Sequence, residues 1–141
     1  MRKSKGENHM GLLLNTLSPA VLYEEMAKST YFVDKTAFIG HMLQRIGTNG
    51  KYVCITRPRR FGKTVMANML GAFLTKSAAT AKLFAQLKIG RDAEAMQHIN
   101  QYNVIYIDFS RISSNDYQSY IDNIADALKK DLHKAYPDVD Y

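Results

Sequence analysis

The stretch RPRRFGKT, residues 57–64, constrains this chain more than any other. Its last three residues, Gly62, Lys63 and Thr64, match the end of the phosphate-binding pattern G-x-x-x-x-G-K-[ST]. The position of the first glycine holds Arg57. The segment follows an apolar run, KYVCIT at 51–56. It precedes a face made by Val65, Met66, Met69, Leu70, Phe73 and Leu74, which recur at helical spacing. A buried strand, a tight loop and an amphipathic helix are therefore expected in that order, the context in which such a loop cradles phosphate.

Phosphate needs several donors at close range. Backbone N–H groups in a tight turn supply them, and the positive end of the following helix adds to them. The amides of Arg60, Phe61 and Gly62 are the candidate donors, with Gly62 allowing the backbone to approach closely. Lys63 would reach the terminal phosphates, and Thr64 would ligate Mg²⁺ through its hydroxyl. Arg57 and Pro58 make the entrance differ from the common pattern. Arginine reaches unusual dihedrals only at a cost, and proline has no N–H to donate.

The rest of the chain reads as elements around this loop. Residues 1–17 form a basic leader, expected to be flexible, whose apolar run is too short for an export signal. Ser18-Pro19 opens a helix over 19–28 with Leu22 and Met26 on one side. Tyr31 to Val33 is short and extended. Asp34 or Thr36 then caps a helix carrying Phe38, Ile39, Met42, Leu43 and Ile46, closed by Gly47. A short helix over 80–87 and an irregular polar stretch over 90–101 come next. NVIYIDFS, 103–110, reads as a second buried strand, and Ser113, Ser114 or Asn115 caps a last helix whose inward face is Tyr117, Tyr120, Ile121, Ile124, Leu128 and Leu132. The expected fold class is α/β: a partial P-loop NTPase-type core with parallel strands, truncated, with 18–141 as the N-terminal portion of the domain. Two strands do not cover a parallel sheet's faces and edges, so self-association or a missing C-terminal part of the domain is expected.

Three ordered segments, YFVDKTAFI, TRPRRFGKT and NVIYIDFS, resemble the AAA-ATPase-like family of bacterial P-loop proteins, whose loop typically reads RPRRFGK[ST]. Arg57 thus departs from the general pattern and agrees with the family's version. The resemblance spans about residues 18–135. It implies ATP and Mg²⁺ as cofactors, with Lys63 and Thr64 as their contacts and Gly62 as the loop glycine. Asp108 ends an apolar run as a metal-shell aspartate would. The resembling family carries its acidic pair in a later strand, so Asp108 reads as structural and ATP hydrolysis stays open.

Composition narrows the partners. The net charge of +6 over 141 residues suits an anion: nucleotide, nucleic acid or an acidic surface. A nucleic-acid-binding basic module and an interaction fragment with a non-functional loop are the two rival functions. No run approaches a membrane span. Asp34 and Lys35 are explained by capping and a surface ion pair, and His41, His98 and His133 form no metal spacing. The single cysteine, Cys54, excludes an internal disulfide, fits a reducing, cytoplasmic setting, and is expected to be buried and unreactive.

Overall fold

A computed structural model describes residues 11–60 and 62–140. Among these the chain forms α1 (Ser18–Ala27), α2 (Ala37–Leu43), α3 (Lys63–Leu74), α4 (Ala81–Ala85), α5 (Ala93–Met96) and α6 (Tyr117–Ala135), joined by short 3₁₀ turns. None of these helices is long and apolar enough to cross a membrane.

The expected α/β class is overturned: no β-strand forms among the described residues. Two isolated bridges are what exists, Leu14 with Ile105 and Thr75 with Tyr102. A strand is a property of a pair, because its N–H and C=O groups must find a neighbouring ladder. Residues 52–56 find none among the described residues, and all but Ile55 are exposed, with Tyr52 at 85%. Cys54 is exposed as well, against the expectation of a buried thiol. Residues 102–106 lie between two partners. Tyr102 N donates to the Leu74 carbonyl at 2.9 Å, and Tyr106 N donates to that of Leu13 at 3.0 Å. Pairing stops there, and the run ends in a 3₁₀ turn at Phe109–Arg111.

The core is helical. Tyr23, Ile39, Met69, Ala72, Phe73, Phe84, Ile89 and Ala95 form one buried cluster. Phe84 is its centre: it stacks on Tyr23 with ring centroids 5.5 Å apart and meets Phe73 edge-on at 5.1 Å. Such pairs add roughly 0.5–1.5 kcal/mol each beyond the area they bury. On α1 the inward residues are Pro19 and Tyr23, whereas the expected Leu22 and Met26 are partly exposed. Helix α3 runs against α1 so closely that a Cβ on Gly71 would stand 2.7 Å from the Pro19 Cβ. The carbonyls at the end of α3 lack helical partners. Asn100 answers them, donating from Nδ2 to Ala72 O at 3.2 Å and Thr75 O at 3.0 Å, while its Oδ1 accepts from Thr80 N. The stretch 90–101, expected to be irregular, thus holds α5 and the residue that caps α3.

Residues 11–17, expected as the end of a flexible leader, are packed: Leu13, Leu14 and Asn15 are buried. One carboxylate holds the leucines, while Asn15 N donates to the Val104 carbonyl at 2.8 Å. Asp131 of α6 accepts from the backbone N–H of Leu12, Leu13 and Leu14 at 2.9, 2.6 and 2.9 Å. Burial alone would raise the pKa of Asp131, but the three amides, aided by Lys134, outweigh it and bring it below the ordinary carboxylate value. Helix α6 is capped by Asp116 rather than by Ser113, Ser114 or Asn115, and Tyr117 on its expected inward face is exposed.

Two outcomes follow for stability. Gly71→Ala should lower stability by about 1–3 kcal/mol in thermal unfolding, because the clash with Pro19 exceeds the ~1 kcal/mol that alanine adds to helix propensity. Asp131→Asn should cost about 2 kcal/mol at neutral pH by leaving buried amides poorly paired. The anchor's contribution is complete above the unfolded carboxylate value of about 3.9 and fades as pH falls through the lower folded value. The gap between wild type and Asp131→Asn in acid-unfolding curves should therefore close below about pH 4.

Candidate functional site

The phosphate-type loop stands at the start of α3, whose other end carries Met69, Ala72 and Phe73 of the core. The helix begins at Lys63, preceded by Gly62 in the left-handed region at φ 78°. Glycine takes that conformation freely, which answers why it stands there. Arg60 is also left-handed, at φ 66°, which an L side chain adopts only under constraint. Phe61 lies outside the described residues. The N-terminus of α3 has no side-chain cap, so its first amides lack a side-chain acceptor.

Lys63 closes the loop. Its Nζ donates to the carbonyl oxygen of Arg57 at 2.6 Å, joining the first residue of the segment to the first residue of the helix. The ammonium is thereby turned back across the loop. Arg57, Arg59 and Arg60 are all exposed around it. Among the described residues none of these four cations is in an ion pair.

A further cation comes from outside the motif. A Cβ on Gly62 would stand 3.6 Å from Lys35 Nζ, so this ammonium lies beside the loop glycine. Its neighbours in sequence are firmly held. Asp34 accepts from Thr36 N, the Thr36 hydroxyl and Lys88 N at 2.9, 2.6 and 2.7 Å. The Thr36 hydroxyl in turn accepts from Ile89 N at 3.1 Å. Burial acts to raise the pKa of Asp34, but these hydrogen bonds prevail and lower it, so it stays an anion. Asp34 is thus a structural clamp, and Lys35 rides on it. The sequence singled out both residues but offered no reason to bring Lys35 to Gly62, which lies 27 positions away.

Thr64 and Asp108 line one cavity of about 320 Å³, together with Thr16, Asn68, Tyr106 and Arg111. The Tyr106 hydroxyl donates to Asn68 Oδ1 at 2.6 Å, which ties the 102–106 run to α3. Asp108 caps the 3₁₀ turn: its Oδ1 accepts from the Ser110 hydroxyl at 2.6 Å and from Ser110 N at 3.0 Å. Its Oδ2 lies 3.4 Å from Arg111 Nε. Chiefly through the Ser110 hydroxyl, its pKa is held below the ordinary value. The structural reading of Asp108 accounts for these contacts, and the cavity also sets it on the same side of α3 as Thr64.

Oxygen ligands are what Mg²⁺ takes, through one or two protein groups plus phosphate oxygens. The Thr64 hydroxyl and the Asp108 carboxylate on one cavity wall are of that type. Among the described residues no cluster of three or more His, Cys, Asp or Glu side chains forms an all-protein metal cage.

No curated protein and no solved structure matches the chain. A family model described as "Predicted AAA-ATPase" matches residues 22–139, which takes in Lys35, the whole loop and Asp108. The match covers most of the chain, and this protein belongs to the AAA-ATPase-like family.

Proposed function

We propose that residues 57–64 bind the phosphates of ATP, with Mg²⁺ held at Thr64. The observation that carries this reading is the closed loop: Lys63 reaches back to the Arg57 carbonyl over the left-handed Gly62, at the uncapped start of a 12-residue helix. A polyphosphate entering there exchanges one neutral acceptor, the Arg57 carbonyl, for charged oxygens, which make shorter and stronger hydrogen bonds to an ammonium. The amides of Gly62 and Arg60, and that of Phe61, would serve the phosphate at the helix's positive end.

Magnesium, when bound, neutralises phosphate charge and orients the phosphoryl group. The protein's part is to present the Thr64 hydroxyl on the cavity that Asp108 also lines. The surrounding arginines raise local anion concentration and speed encounter. The exposed arginines also fit the phosphates of a nucleic acid, so the test includes that ligand.

Lys63 is exposed, so its loss should leave the fold intact. Lys63→Ala is expected to weaken Mg²⁺–ATP binding at least about tenfold in isothermal titration, since hydrogen bonds to charged groups contribute about 1.5–3 kcal/mol. Unchanged ATP affinity in folded Lys63→Ala would reject the reading. Binding of a duplex DNA that falls steeply with salt, without any ATP binding, would put the nucleic-acid role in its place.

A further inference from the structure

Asp34, Lys35 and Thr36 are consecutive, and the fold spends two of them. Asp34 accepts from Thr36 N, the Thr36 hydroxyl and Lys88 N. The hydroxyl of the fully buried Thr36 accepts from Ile89 N. Lys35 takes no part in this clamp. The surface ion pair expected of Asp34 and Lys35 does not form among the described residues. There the Lys35 ammonium has neither an ion pair nor a hydrogen bond.

An unpaired lysine on a surface is ordinary, but the placement of this one is not. The backbone is pinned on both sides of it, through Asp34 to Lys88 N and through Thr36 to Ile89 N. Its starting point is thus fixed against the 3₁₀ turn at Lys88–Arg91. From there its Nζ reaches the left-handed Gly62, 3.6 Å from where a Cβ on that glycine would stand. Lys35 and Gly62 also line one cavity with Val65 and Met66, in the first turn of α3. The ammonium therefore stands at the positive end of a helix whose first amides have no side-chain acceptor. Lys63 and three exposed arginines belong to the same loop. Like charges and a helix N-terminus both oppose a further cation there, and an anion reverses both effects.

We propose that Lys35 is a second phosphate-binding lysine, whose ammonium bonds the phosphate chain of the nucleotide beside Gly62 while Lys63 bonds it from α3. The proposal rests on the phosphate-loop reading, since it needs an anion at Gly62. An ammonium is a compact charge with three rotatable donors, which suits the oxygens of a phosphate chain. Two lysines on separate elements let one ligand join α3 to the segment before α2. Such a pair favours a chain of several charged phosphates over a single one.

The test measures Mg²⁺–ATP and inorganic tripolyphosphate by isothermal titration on wild type, Lys35→Gln, Lys35→Arg and Lys63→Ala. Lys130→Gln, at an exposed position on α6, controls for the loss of one net charge. Lys35→Gln should weaken both ligands about tenfold, the size of a hydrogen bond to a charged group. Lys35→Arg, which keeps the charge, should regain part of that loss. The ligand-free thermal midpoint of Lys35→Gln should hold or rise, because one of the crowded cations is gone. A fall in that midpoint with unchanged affinities would make Lys35 structural and overturn the proposal. Affinities equal to wild type in Lys35→Gln, with Lys63→Ala weakened, would overturn the role of Lys35 and leave the loop standing. A loss matched by Lys130→Gln would overturn it as an effect of net charge. Failure of wild type to bind either ligand would overturn both readings.

Discussion

The packing of α3 against α1 is the constraint on which the rest depends. At its C-terminal half α3 contributes Met69, Ala72 and Phe73 to the core. At its N-terminal end it carries Gly62, Lys63 and Thr64. A rigid helix transmits position along its axis, so what fixes Phe73 against Phe84 also fixes the loop. Gly71 permits the close approach to Pro19, and Asn100 satisfies the carbonyls at the far end. The site is thus mounted on an element whose other end is anchored by aromatic contacts and hydrogen bonds. A phosphate-binding turn needs that, because its amides must converge on one point before the ligand arrives.

The clearest sequence signals were local ones. The period of Val65, Met69 and Phe73 named the helix that forms, because helical hydrogen bonds close within the segment and one face suffices to bury it. Gly47 takes the left-handed conformation expected of it, although α2 ends earlier, at Leu43; Gly62 takes that conformation as well. Strands were different. KYVCIT and NVIYIDFS have β-type composition, but composition records only suitability for a sheet, and pairing depends on chain elsewhere. Residues 102–106 find single bridges, and 52–56 find no backbone partner among the described residues. Cys54 followed the fate of its segment, and a residue's burial could not be read without that segment's partner.

The site divides the same way. Gly62, Lys63 and Thr64 stand together in one contiguous motif, so the sequence alone singles them out. Lys35 could not be joined to them that way, since it comes beside Gly62 only through tertiary packing. The inward face of α1 fell one residue from the expected one: Leu22 and Met26 had the spacing, but Pro19 and Tyr23 face α3. At about 100° per residue, the Pro19–Tyr23 face lies about 60° round the helix from the face of Leu22 and Met26. Tyr23 is thereby buried in the core against Phe84. Neither Asp34 nor Thr36 caps α2 through its side chain, against expectation: Asp34 accepts instead from Thr36 N and from Lys88 N, in a turn more than fifty residues away.

Charge gives the loop its remaining logic. Arg57, Arg59, Arg60, Lys63 and Lys35 crowd one region, and none is in an ion pair among the described residues. Like charges at close range oppose folding, and screening by salt reduces but does not remove the effect. Lys63 answers part of this by binding the Arg57 carbonyl, which offers only a partial charge. On the function proposed above, a polyphosphate would supply a counter-charge to these cations and acceptors to the helix amides. The arginine in place of the usual first glycine fits this picture. It gives up backbone freedom at the mouth of the loop and adds another exposed positive charge to it.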